Sequence, residues 1–126
     1  MIHLRGEHTD VVIDESFGVP VVVHWGAPLG EVDPVTIGRA LARSLVPGAL
    51  DVVAPISVVP EHGAGFQGRP GLSGHRQGGT AWAPRFQSHA VRSVDNGVEV
   101  VAVDAVAGLR LACTIRLDEV LTVQLT

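Results

Sequence analysis

FQSHAVRSVDNGVEVVAVDAVAGLRLACTIRLDEVLTVQLT, residues 86–126, decides the architecture. Two strand-like runs, 86–94 and 98–106, flank Asp95-Asn96-Gly97, and Asn-Gly between such runs is a strong hairpin signal because both residues tolerate positive φ. Ala107-Gly108 makes a second turn. Leu109, Leu111, Cys113, Ile115 and Leu117 then alternate with Arg110, Ala112, Thr114 and Arg116, one face in and one face out. After a turn near Asp118-Glu119, Leu121, Val123 and Leu125 alternate with Thr122, Gln124 and Thr126. The alternation is still complete at the last residue, and we expect the natural chain to continue past it.

Upstream, the pattern is also extended. A short run, 10–13, precedes a longer Val-rich run, 17–24, in which Pro20 fits best at an edge or a bulge. Trp25-Gly26 ends it. Asp33-Pro34 reads as an N-cap followed by proline at the first helical position. Ile37, Ala40, Leu41 and Leu45 mark one apolar face, so a short helix is predicted over 34–45, with Gly48 just beyond its end. Residues 52–59 read as a buried strand interrupted by Pro55. The predicted fold is mainly β, an antiparallel β-sandwich with one short helix, because two sheets packed face to face bury so many alternating strands.

Composition narrows the function classes. The 126 residues fit one domain, 46% hydrophobic and 17% charged, the profile of a globular domain. The net charge is −4, all nine basic residues are scattered arginines and lysine is absent, so no basic stripe can follow a phosphate backbone. No nucleic-acid partner is expected. Cys113 is the only cysteine, which excludes an internal disulfide and points to a buried, inert thiol. The sequence has no apolar run long enough to span a bilayer, and acidic residues interrupt the N-terminus where a signal peptide would be apolar. No membrane partner and a cytoplasmic location are expected.

Between the predicted strands lies PEHGAGFQGRPGLSGHRQGGTAWAPRF, residues 60–86. It holds seven of the fifteen glycines, one of the two tryptophans and two of the three phenylalanines, and it has neither helical nor strand periodicity. Its aromatic content argues against disorder, so a shaped loop facing a ligand or an interface is expected. Gly63, Gly65 and Gly68 fit G-x-G-x-x-G, but Arg69-Pro70-Gly71 cannot open the helix whose amides would hold a pyrophosphate. Gly71-Leu72-Ser73-Gly74 has the wrong spacing for a nucleophile elbow. Glu61, His62, His75 and His89 lack the short spacings of a metal site, and neither a metal nor a cofactor is expected. Asp14-Glu15 and Asp118-Glu119 read as turn residues rather than as a catalytic carboxylate pair.

What remains is a constellation of Trp25, His62, Phe66, Arg69, His75, Arg76, Trp82 and Arg85. Aromatic faces, guanidinium forks and imidazoles on a glycine-rich scaffold suit a polyhydroxylated ligand or a partner protein. The bland alternative has Trp82 and Phe86 plugging the end of the sandwich while the arginines bond internal carbonyls.

With VVPEHGAGFQGRPGLSGHRQG and WAPRF, supported by His24-Trp25-Gly26-Ala27-Pro28-Leu29 and Gly108-Leu109-Arg110-Leu111, the sequence resembles the N-terminal domain of bacterial glycoside hydrolase family 36 α-galactosidases. The resemblance runs from about Trp25 to the end. It implies a supersandwich-like domain spanning 1–126 that precedes a catalytic (β/α)8 barrel, with this chain truncated before the barrel. It also implies a parent that hydrolyses terminal α-galactosides with retention, using two barrel aspartates. A barrel needs about 200 residues or more, so this chain alone is expected to be inactive.

The implied partners are the barrel, neighbouring subunits of a homo-oligomer and α-galactosides. Trp25, His62, Phe66, Arg69, His75, Arg76 and Trp82 are then candidates to line the substrate entrance or a subunit interface. The family's loop aspartate is replaced by Phe66 here, with Arg76 a candidate to take its place. A free-standing carbohydrate-binding module and a purely structural sandwich are the alternatives.

Overall fold

The computed structural model describes residues 1–42, 48, 53–54 and 56–126. Its strands form two antiparallel sheets. In the first, β1 (Ile2–Arg5), β2 (Asp10–Asp14) and β3 (Val21–Gly26) lie in sequence order. The second is a four-stranded meander of β4 (Gln87–Val94), β5 (Gly97–Asp104), β6 (Leu109–Leu117) and β7 (Leu121–Leu125).

The sandwich closes where alternating residues of both sheets meet. Val11 and Ile13 of β2 pack with Val98 and Val100 of β5 and with Cys113, Ile115 and Leu117 of β6. Ile13 and Ile115 are fully buried. A second cluster of Val19, Val59, Phe86 and Ala102 lies where the 60–86 loop leaves and rejoins the sheets. Cys113 sits in the first cluster, and burial pushes its thiol up to about 11, which keeps it protonated and inert as its place in the alternation predicts.

The β4–β5 hairpin forms, with a shifted turn. Val94 pairs with Gly97, so the central turn residues are Asp95 and Asn96 rather than Asn96 and Gly97. Only Asn96 takes the left-handed region, at φ 50°, and Gly97 is needed for a different reason. A side chain there would collide with the carbonyl of Ile115 on the adjacent strand.

Elsewhere four expectations change. β1 has no clear signal in the sequence, because four residues with only Ile2 and Leu4 apolar carry too little alternation to register. The predicted 17–24 strand begins only at Val21, with Pro20 just outside it, and the bulge falls at Val23, between the pairs Val12–His24 and Ile13–Val22. The helix α1 (Pro34–Ala40) starts as predicted, with the Asp33 carboxylate accepting from the Val35 and Thr36 amides at 3.2 and 3.1 Å. It ends at Ala40 rather than Leu45, with Leu41 as its C-cap and half exposed, while 43–45 lie outside the described residues. Of the predicted 52–59 strand, residues 52 and 55 lie outside the described residues and the rest form no strand. Val58 donates to the Pro20 carbonyl at 2.9 Å instead of entering a ladder. Among the described residues, no helix is long and apolar enough to cross a membrane.

Only part of the inner face is covered. Leu121 packs against the first cluster, but Val123 and Leu125 are 43% and 45% exposed although they lie opposite the buried Ile115 and Cys113. Ile115→Ala is expected to cost about 2–5 kcal/mol in urea unfolding, the range for truncating a buried aliphatic side chain. Leu125→Ala should cost less than about 1 kcal/mol, because its side chain gives up far less contact.

Candidate functional site

The loop from Pro60 to Phe86 is a built structure, and its neck is closed by two buried carboxylates. Glu61 Oε1 accepts the Phe86 amide at 2.6 Å and so ties one end of the loop to the other. Asp104, at the end of β5, accepts the Arg85 amide at 2.9 Å through Oδ2 and the Val106 and Ala107 amides at 2.9 Å through Oδ1. Gly63 lies where the two arms cross: a Cβ there would stand 2.6 Å from the Pro84 carbonyl oxygen. The loop therefore has no room to open at its base without breaking these contacts.

Opposite pKa shifts separate the two acids. Amide donation from Ala107, against a desolvation cost, holds Asp104 below the ordinary aspartate range. Burial pushes Glu61 up, with the Phe86 amide and the Arg85 charge opposing it and the Asp104 charge adding to it. One raised and one lowered carboxylate resemble the acid and nucleophile of a glycosidase. Here both side chains are buried, at 5% and 7% exposure, and their hydrogen bonds go to backbone amides at the loop neck. They are anchors, not an open catalytic pair.

Further in, each arm is fixed separately. His62 Nε2–H donates to the Gly68 carbonyl at 2.9 Å, and the Phe66 ring occupies the space a side chain at Gly68 would need. The amide of Gly71 reaches back to the Pro60 carbonyl at 2.8 Å. Arg76 spans the gap to the β5–β6 turn, donating from Nε to the Ala107 carbonyl at 2.7 Å and from Nη2 to the Gly108 carbonyl at 3.1 Å. Its own amide bonds the Thr80 carbonyl at 2.8 Å.

The candidate residues divide accordingly. His62 and Trp82 come together edge to face, with ring centroids 6.4 Å apart, and Trp82 remains 64% exposed. His75 donates from Nδ1 to the Arg76 carbonyl at 2.8 Å, and both residues line a cavity of about 170 Å³ with Leu72, Pro84 and Leu109. Arg69 is exposed and makes no hydrogen bond or ion pair among the described residues. Trp25 is separate: it lies on β3 opposite Val11, 66% exposed, and lines neither that cavity nor the one beside Phe86. Glu61 is buried at the neck while His62 and His75 bond different carbonyls, and no cluster able to hold a metal is found among the described residues.

Sequence reasoning missed Asp104 and the anchoring role of Glu61. Asp104 had a local signal, since an aspartate at a strand end commonly accepts amides two and three residues on. Glu61 had none, because its partner is 25 residues away.

A cavity of about 170 Å³ is smaller than the roughly 300–1,000 Å³ of a typical ligand pocket. The loop also presents Trp82 and Arg69 at the surface.

Residues 18–125 match the model of the glycosyl hydrolase family 36 N-terminal domain. An α-galactosidase of Escherichia coli is 34% identical over 90 residues, which cover 71% of this chain and 12% of that enzyme. The chain thus spans a small fraction of the length of this curated relative. No solved structure matches.

The two carboxylates predict a pH profile. Asp104, lowered in the fold, contributes stability that is present above the ordinary aspartate value of 3.8 and lost as pH falls through its folded value. Glu61, raised in the fold, carries a cost when ionised that is relieved as pH falls from its folded value to the ordinary glutamate value of 4.5. Thermal stability should therefore hold or rise from pH 7 down to about 4.5, then fall steeply below about 3.8. In Glu61→Gln the upper part of the profile should flatten, whereas Asp104→Ala should lose about 2–3 kcal/mol at pH 7 by leaving buried amides unpaired. Melting curves across pH check both.

Proposed function

From the premise that the chain belongs to the glycosyl hydrolase family 36 N-terminal domain family, we propose that it is the accessory N-terminal unit of a larger α-galactosidase-like glycoside hydrolase. In this reading the 60–86 loop shapes the substrate entrance of a catalytic barrel and takes part in subunit assembly. The α-galactosidase name of the Escherichia coli relative supports the substrate class. The observation that carries the role of the loop is the pairing of Trp82 with His62. An indole left 64% exposed on a loop whose neck is anchored at Glu61 and Asp104 is poised for a surface outside the chain.

The residues have distinct parts in this reading. Trp82 is the apolar wall, held from behind by His62. Arg69 and the free edge of His75 are donors to sugar hydroxyls or to a neighbouring subunit. Arg76 positions the loop, because two of its guanidinium hydrogen bonds go to the Ala107 and Gly108 carbonyls. Phe66 fills space against Gly68 at the position where the family resemblance expects an acid.

Trp82→Ala in the full-length parent should lower kcat/KM on a small aryl α-galactoside about three- to tenfold, the size of one lost aromatic contact. Unchanged kinetics together with unchanged assembly would sink the proposed role. Calorimetric titration of the 126-residue chain with galactose or raffinose should give no saturable binding, whereas saturation would favour a self-contained carbohydrate-binding module.

A further inference from the structure

Asn96 is the only asparagine in the chain, and a glycine follows it. The fold selects both residues. Asn96 takes the left-handed position of the β4–β5 turn, at φ 50°, where asparagine is tolerated better than most side chains. Gly97 is fixed by space, because a Cβ there would collide with the Ile115 carbonyl and crowd the Cα of Arg116. The turn therefore keeps an Asn-Gly pair, and that pair carries its own chemistry. An asparagine side-chain carbon can close a five-membered ring with the backbone nitrogen of the next residue, and a glycine leaves that nitrogen unshielded.

The same residue joins two turns. Asn96 Nδ2 donates to Asp118 Oδ1 at 2.7 Å, and the Asn96 carbonyl accepts the Leu117 amide at 2.9 Å. The β4–β5 turn is thereby tied to the β6–β7 turn. Asn96 and Asp118 are both exposed, so water reaches the amide and the acid that holds it. Asp95 and Glu119 adjoin them in sequence and add negative charge at this end of the sandwich. Gly97 pairs with Val94 across the hairpin, which holds its nitrogen in the ladder until the turn opens.

We propose that Asn96 is a site of spontaneous deamidation, and that its conversion unties the two turns. The Gly97 nitrogen gives up its proton to solvent and attacks Asn96 Cγ, the bond from Cγ to Nδ2 breaks, and the nitrogen leaves as ammonia after taking up a proton. Water then opens the cyclic imide at one carbonyl or the other, leaving aspartate or isoaspartate at position 96. One water is consumed and one ammonia released. Either product lacks the N–H that Asp118 accepts and sets a second carboxylate against it, a like-charge contact where a hydrogen bond stood. Isoaspartate also routes the main chain through the side-chain carbon, which lengthens a two-residue turn by one atom. This turn lies at the opposite end of β5 from Asp104 and the neck of the 60–86 loop, so the inference stands apart from the function proposed for that loop.

Mass spectrometry of the 126-residue chain during incubation at mildly alkaline pH, with peptide mapping and amide hydrogen exchange, tests the proposal. The mass gained when an amide becomes an acid is expected to accumulate at position 96, with isoaspartate among the products, and to accumulate faster in urea, where the turn is open. Asp118→Ala should speed the conversion of the folded chain about two- to tenfold, what one restraining hydrogen bond is worth. Asn96→Gly, which keeps the left-handed backbone and removes the amide, should gain no mass. The Leu117 amide should exchange faster in the converted chain and in Asn96→Asp, and adding Asp118→Asn to Asn96→Asp should slow it again by replacing one facing charge with a donor. No mass gain at position 96 in the folded chain, over a time that converts the urea-unfolded chain completely, overturns the proposal. A gain that persists in Asn96→Gly, or a Leu117 amide that exchanges at the same rate before and after conversion, overturns it as well.

Discussion

The shape of the 60–86 loop rests on the hydrogen bond from the Phe86 amide to the Glu61 carboxylate, 2.6 Å long and buried between the ends of the loop. Closing a loop of that length costs entropy that grows slowly with its length. Glu61 offsets part of this cost where the loop leaves the sandwich, and Asp104 holds the returning strand and the β5–β6 turn together beside it. Arg76 then links the far arm to the same turn. Without such ties a glycine-rich segment would sample many conformations and Trp82 would have no fixed position.

The sandwich supplies the platform for these ties. Its core from β2, β5 and β6 fixes where β5 ends, and therefore where Asp104 sits. The second cluster, with Phe86 3% exposed beside Val59, buries the aromatic residue that precedes β4. One loop therefore places its aromatic residues in two environments. Phe86 belongs to the core, and Trp82 stays exposed.

The meander was legible because a period of two over eight or nine residues is a strong signal, and the turns between its strands carry Asn, Gly or acidic residues. The N-terminal strand and the true end of α1 were not, since each is decided by a few contacts rather than by a pattern. Residues 52–59 looked like a strand because they are apolar, yet the described part makes one backbone bond to Pro20 and joins no ladder. In the loop, composition correctly singled out a shaped segment but did not tell the exposed tryptophan from the buried phenylalanine. Arg76 could be read as a donor or as an internal tie with equal ease. Long-range bonds between side chains and backbone made those choices, and they leave no periodic trace in the sequence.

The central claim is that the loop is pre-organised before it meets any partner. Amide hydrogen exchange on the isolated chain tests this most directly, at Gly71, Arg76 and Phe86, whose amides bond Pro60, Thr80 and Glu61 although none lies in a strand. The account predicts slow exchange at these amides, with Phe86 as protected as the strand amides of β5 and faster in Glu61→Ala. Exchange of all three at the rate of an open, solvated loop in the unmodified chain would contradict it.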